Sequence, residues 1–244
     1  MTGSVPGIVV AIDGPSGSGK STISRRVAAS EGLAYLDTGA MYRAATWWCI
    51  RQGVDLADVD AVADLVREMP LEISTDPVNP AFVVGGEDVG VVIRSTEIST
   101  RVSAVATNRQ VRPELQRRQR EVIAVESGRG TGGHEARSGG RGVIAEGRDI
   151  TTVVAPDADV RILLLASEEA RLARRAQEIH GTADEAAVAA TRDQVIRRDA
   201  DDSTVSNFTT AADGVITVDT SALTLEEAVA TVHQIVSTAQ RSSS

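Results

Sequence analysis

The feature that most constrains this chain is a glycine-rich segment lying between an apolar run and a helical one. Residues 7–12, GIVVAI, are apolar and β-branched and end at Asp13, the pattern of a buried strand. Gly14-Pro15-Ser16-Gly17-Ser18-Gly19-Lys20-Ser21 follows at once and fits G-x-x-x-x-G-K-[ST]. Residues 21–30, from Ser21 and Thr22 onward, then carry the spacing of a helix. Glycines let backbone N–H groups turn inward, and a helix N-terminus adds positive potential, so the segment is an anion cradle. Lys20 is placed to reach the β- and γ-phosphates of a triphosphate, and the Ser21 hydroxyl to ligate Mg²⁺.

Composition sharpens that reading at one residue. Lys20 is the only lysine among 25 basic side chains; all the others are arginine. A chain that uses arginine almost everywhere keeps one compact ammonium where the phosphate motif needs it. The formal net charge of -9 argues against a protein that grips long nucleic acid, which requires many phosphate contacts. A small anionic ligand stays compatible, because a concave site can concentrate positive charge on an acidic protein. The single cysteine, Cys49, excludes an intrachain disulfide, and no Cys/His set has zinc-ligand spacing. No stretch reaches the ~20 apolar residues of a membrane helix, and no leader stands out at the N-terminus. A cytoplasmic protein, bound to neither membrane nor nucleic acid, is expected.

Strand and helix patterns alternate along most of the chain, which implies right-handed crossovers and a parallel sheet. Strands are expected at 33–36, 143–145, 160–165 and 215–218, and helices at 57–69, 95–106, 110–125, 168–179, 184–199 and 225–238. Thr38 is read as the cap of a helix running to about residue 52. Residues 71–93 break the pattern: LEIST, AFVV and GVVI, separated by Pro and Gly signals, read as three small antiparallel strands. Residues 127–142, SGRGTGGHEARSGGRG, read as a flexible loop. His134, His180 and His233 are isolated, Trp47, Trp48 and Cys49 read as packing residues, and Arg117, Arg118 and Arg120 as a solvated face.

The cradle alone fits kinases, GTPases and motor ATPases. An N-K-x-D guanine-reading motif is impossible without a second lysine, and Ile162-Leu163-Leu164-Leu165 ends in Ala166-Ser167 rather than an acidic pair. A small-substrate kinase survives. Asp37-Thr38-Gly39-Ala40-Met41-Tyr42-Arg43 follows the second strand, and Gly147-Arg148-Asp149 comes later. With IDGPSGSGKST, these motifs closely resemble bacterial cytidylate kinases over residues 8–230.

The resemblance implies an α/β, P-loop nucleoside monophosphate kinase fold: a five-stranded parallel sheet flanked by helices, with a small antiparallel β-insert and a helical lid. It implies a core of residues 1–70 and 143–244, a lid at about 168–200 and an acceptor-binding region at 71–142. The activity implied is transfer of the γ-phosphoryl group of ATP, with Mg²⁺, to CMP or dCMP by a monomer. Gly14 through Thr22 then bind ATP. Thr38, Tyr42, Arg43, Ser103, Arg112, Arg148, Asp149 and Asp202 match acceptor-binding positions, with Ser103, Arg112 and Asp149 at the base. Lys20, Arg148, Arg198, Arg171 and Arg175 match charge-stabilising positions, Arg174 shares the helix face of Arg171 and Arg175, and Ser21 and Asp37 are the metal candidates. UMP, AMP and a small alcohol such as shikimate remain alternative acceptors, and a regulatory module that binds ATP without turnover a third reading. The chain departs from the family pattern at Val205, where an arginine is expected, and in the length of the 127–142 loop.

Overall fold

The structure is a computed structural model and describes residues 6–130 and 135–242; His134 lies outside them. Its centre is a five-stranded parallel sheet in the order β2-β6-β1-β7-β8. The strands are β1 (Ile8–Asp13), β2 (Ala34–Asp37), β6 (Gly142–Gly147), β7 (Val160–Leu165) and β8 (Ile216–Asp219). Burial of both faces of the sheet explains why β1 is apolar from Ile8 to Ile12. Val9 and Ala11 point into one core, with Leu36 and Ala145, while Val10 and Ile12 point into the other. The second core is closed by α1 (Lys20–Glu31) and α8 (Leu225–Ser242), through Ile23, Val27, Val232 and Val236.

The first core is covered by α2 (Thr38–Arg51), α3 (Val59–Arg67), α4 (Thr96–Ala106) and α5 (Val111–Glu126). Against them lies the small antiparallel sheet of β3 (Leu71–Ile73), β4 (Phe82–Val84) and β5 (Glu87–Asp88). Phe82 and Val84 anchor that sheet in the core. Two further helices, α6 (Glu168–His180) and α7 (Glu185–Ser203), pack on each other over the phosphate loop. Among the described residues no helix is long and apolar enough to cross a membrane.

Several expectations are corrected. Asp37, not Thr38, caps α2: its carboxylate accepts from the Ala40 N–H at 2.8 Å, while the Thr38 hydroxyl donates to the Glu146 carbonyl at 2.8 Å. GVVI is not a strand. The third strand is Glu87–Asp88; the Asp88 side chain accepts from the Gly90 N–H, and Val92–Arg94 coil into a 3₁₀ turn with Val91 in solvent. Arg118 is not solvated: its guanidinium donates to the Val66, Arg67 and Met69 carbonyls and so satisfies the end of α3.

The 127–142 loop is tied down where it is described. Glu126 is 0% exposed, and its carboxylate accepts from the Thr75 hydroxyl (2.6 Å), the Arg137 N–H (3.1 Å) and both the N–H and hydroxyl of Ser138 (2.9 Å each). Removing that acceptor leaves several buried donors unpaired. Glu126→Ala is expected to cost about 3 kcal/mol of unfolding free energy in a urea titration. Wild-type stability in that variant would contradict the assignment.

Candidate active site

β1 and β6 end level with one another, Asp13 lying beside Gly147, β7 runs two residues further past Leu163, and the phosphate loop leaves this edge. Parallel strands set their loops at one edge, where crossover folds place ligands. Gly17 has φ +78, and a Cβ there would come within 2.6 Å of the Arg171 carbonyl oxygen, so only glycine lets α6 close on the loop. Gly14, Pro15 and Ser18 form the back of the loop, while Ser16, Gly17, Gly19, Lys20, Ser21 and Thr22 face a cavity of about 390 Å³.

Lys20 opens α1 and donates to the Pro15 carbonyl at 3.0 Å. Burial pulls its pKa from 10.5 down to about 8, against the neighbouring Glu146 carboxylate, which acts the other way. Glu146 is 3% exposed and accepts from the Ser21 hydroxyl at 2.7 Å and the Tyr35 hydroxyl at 3.2 Å. Burial and the nearby Asp37 raise its pKa, so the site favours a cation beside the pair. Sequence reasoning missed Glu146. Ser21, Glu146 and Asp37 line the same cavity and offer hard oxygens, the donor type that suits a divalent cation such as Mg²⁺. Asp37 is already engaged, as cap of α2 and partner of Arg94 at 3.2 Å.

Positive charge converges on the same cavity. Arg43 comes from α2, Arg94 from the 3₁₀ turn, Arg148 from the end of β6, Arg174 and Arg175 from α6, and Arg198 from α7. Burial and then the neighbouring Arg43 and Arg148 pull the Arg198 pKa down to about 9. Arg43 is lowered too, chiefly by burial, and its Nε has no hydrogen-bond partner among the described residues. Desolvated guanidiniums that repel one another make a site complementary to an anion.

Not every expected arginine lines this cavity. Arg171 binds the Ser16 carbonyl at 2.9 Å and pairs with Asp199, which itself accepts from the Ser16 N–H at 3.1 Å. Arg171 therefore holds the loop rather than facing the cavity. Arg175 does line it, paired with Glu178 at 2.7 Å. Arg174 also lines it and is tied to the Thr220 carbonyl and hydroxyl at the end of β8.

A second, narrower cleft of about 50 Å³ adjoins the first and shares Gly39, Gly147, Arg148 and Arg198 with it. Thr38, Tyr42, Val102, Arg112, Asp149 and Asp202 also line it. A Cβ on Gly147 would lie 2.4 Å from the Thr38 hydroxyl, so glycine is what lets β6 and α2 approach. The Arg148–Asp149 turn is fixed from below by Asp13, 1% exposed, which accepts from the Ile150 and Thr151 N–H groups and the Thr151 hydroxyl at 2.6–2.9 Å.

Arg148 pairs with Asp202 and with Asp199 at 3.2 Å, and stacks over Phe208 at 4.6 Å. Arg198 stands 3.7 Å from Asp202. Asp149 accepts from Arg112 at 2.6 Å and from Gln116 at 2.7 Å. Burial drives the Tyr42 hydroxyl pKa upward, and the Asp149 charge adds to the rise, so this phenol stays protonated. Ser103 is not in this cleft; it lines a neighbouring groove with Arg101, Asp193 and Arg197. Val205 lies on an outer groove beside Arg109, Arg112 and Gln116.

The cytidylate kinase family model matches residues 10–238. The chain is 44% identical over 233 residues to the cytidylate kinase of Streptomyces avermitilis, covering 95% of this chain and 94% of that one. It is 46% identical over 238 residues to the cytidylate kinase of Rhodococcus opacus, covering 96% of each. It is 46% identical over 233 residues to that of Nocardia farcinica, covering 94% and 93%. With a phosphate loop, an arginine-lined cavity and an adjoining acidic and basic cleft in one wall, the chain belongs to the cytidylate kinase family.

Proposed function

We infer that the chain transfers the γ-phosphoryl group of ATP to CMP or dCMP, giving ADP and CDP or dCDP. One observation carries this reading: the phosphate-loop cavity and the Arg112–Asp149 cleft share Arg148 and Arg198, so two phosphates bound from opposite sides meet between them. The acceptor phosphate oxygen is already ionised at neutral pH, so no general base is required. Catalysis then rests on alignment and charge.

In this reading the loop N–H groups and Lys20 hold the donor phosphates, while Arg43, Arg148 and Arg198 hold the acceptor phosphate. A guanidinium fork pairs with two phosphate oxygens at once. Binding exchanges the Arg148 contacts with Asp199 and Asp202 for contacts with phosphate, which frees Asp202 for the sugar. Ser21, Glu146 and Asp37 would hold Mg²⁺, which when bound neutralises charge on the donor phosphates. The region of residues 71–142 serves the acceptor nucleotide, and α6 and α7 close over the donor as a lid.

Base choice falls to Arg112 and Asp149. The cytosine amino group donates, and a carboxylate accepts it; uracil presents an acceptor at the same place and meets repulsion. A coupled ADP-release assay across CMP, dCMP, UMP, AMP and shikimate tests the assignment. Turnover is expected with CMP and dCMP at least tenfold above the rest, and a preference for another acceptor would overturn it. In the same assay kcat/KM for ATP is expected to fall as pH rises through about 8, because the lowered pKa leaves Lys20 charged below that value and neutral above it. A flat profile to pH 10 would remove Lys20 from ATP binding.

A further inference from the structure

We propose that Gln116 is the positioning residue that sets base selectivity, by holding Asp149 so that one carboxylate oxygen faces the base. This inference rests on the reading of Asp149 as the group that contacts the nucleotide base. Asp149 is 4% exposed and lines the acceptor cleft. Among the described residues, both side-chain donors that reach it fall on the same oxygen: Arg112 at 2.6 Å and the Gln116 amide at 2.7 Å, each on Oδ2. A carboxylate gripped twice through one oxygen cannot rotate, and its Oδ1 is left with acceptor capacity. Gln116 is 8% exposed and is not among the residues lining the cleft, so its contact with the site runs through Asp149 rather than through substrate.

Arg112 cannot do this alone. Its guanidinium is shared with the Ala106 carbonyl at 3.1 Å, and it lines the cleft, so a bound base competes for its donors. Gln116 has no such second duty toward the cleft. One turn of α5 separates the two residues, which puts both donors on one helix face with a fixed spacing. With Gln116 absent, Asp149 turns on its remaining contact and can present either oxygen. The amino group of cytosine then loses a directed acceptor, whereas uracil, which never gained from that acceptor, loses nothing.

The test compares kcat and KM for CMP and UMP in the wild type, Gln116→Met, Asp149→Ala and the double variant. Gln116→Met keeps length and removes the donor. The CMP-over-UMP ratio of kcat/KM is expected to fall about tenfold, chiefly through KM for CMP, with no loss of UMP turnover. In the Asp149→Ala background the same change should move the ratio less than about twofold, since a residue acting only through Asp149 shows no effect without it.

Gln116→Lys, which returns a donor of similar reach, should hold the ratio within about threefold of wild type. It also tests the proposal if the methionine variant fails to fold. Equal loss for both nucleotides, additive effects in the double variant, or a lysine variant as impaired as the methionine one would overturn it. An unchanged ratio in Gln116→Met beside a collapsed one in Asp149→Ala would overturn the role of Gln116 alone. An unchanged ratio in both would remove Asp149 from base reading as well.

Discussion

Lys20→Ala is expected to lower kcat by on the order of 10³-fold or more while leaving the melting temperature and the KM for CMP near their wild-type values. The ammonium is the one compact cation on the donor side, held against the Pro15 carbonyl and beside Glu146. In-line phosphoryl transfer spreads charge over the moving group, so a missing point charge at the β- and γ-phosphates is felt most in the transition state. Folding should not suffer, because the ammonium is a burden to the unliganded protein. Its depressed pKa means that burial without phosphate disfavours the charged form. Lys20→Arg should not rescue, since a planar fork on a longer stem does not fit the place of a compact ammonium. The check is steady-state kinetics beside thermal melts, and turnover within tenfold of wild type would remove Lys20 from the chemistry.

Glu146→Gln is expected to produce the second largest loss, about 10²-fold in kcat/KM for ATP, and to raise the divalent cation concentration needed for half-maximal rate. Glutamine can keep the contacts with Ser21 and Tyr35 and removes only the charge, so the variant isolates electrostatics from packing. The same charge supports the protonated form of Lys20. Its removal therefore moves the Lys20 pKa further down, and the alkaline fall of activity should begin below the wild-type value of about 8. The sign is firm: losing a neighbouring anion makes an ammonium easier to deprotonate. A cation titration and a pH profile on one preparation read both effects, and unchanged curves in both would contradict the placement of Glu146.

These predictions show which parts of the site were legible in the sequence. The phosphate loop was, because its glycines, lysine and serine act within eight consecutive residues. The five-stranded sheet was as well, since apolar strand runs alternate with helical spacing. Glu146 was not, because VIAEG reads only as the end of a buried strand. Its role arises when β6 pairs in parallel with β1, Ile12 facing Glu146 one residue before Asp13 opens the loop. Gln116 was hidden among charged neighbours on α5, where a polar residue signals nothing until Asp149 arrives from 33 positions away.

Errors followed the same logic. Asp37 and Thr38 are both good caps, and the choice was made by Glu146, whose carbonyl takes the Thr38 hydroxyl. GVVI has strand composition, yet its place on the small sheet was already taken by Glu87–Asp88, so propensity yielded to the ladder. Arg118 looked like one of several surface arginines, and only the approach of α3 gives it three carbonyls to hold. Arg171 shares a helix face with Arg174 and Arg175, yet only the approach of α7 shows that Asp199 holds it against the loop backbone.

What joins these pieces is the claim that donor and acceptor phosphates meet between the phosphate loop and the arginine cluster. A cytidine and an adenosine joined 5′ to 5′ through five phosphates span both sites and test this directly. Inhibition kinetics should show the compound competing with both ATP and CMP, and binding at least 10²-fold tighter than either nucleotide, as linkage of two occupied sites requires. Competition with ATP alone, at an affinity no better than that of ATP, would mean that the two clefts do not serve one reaction.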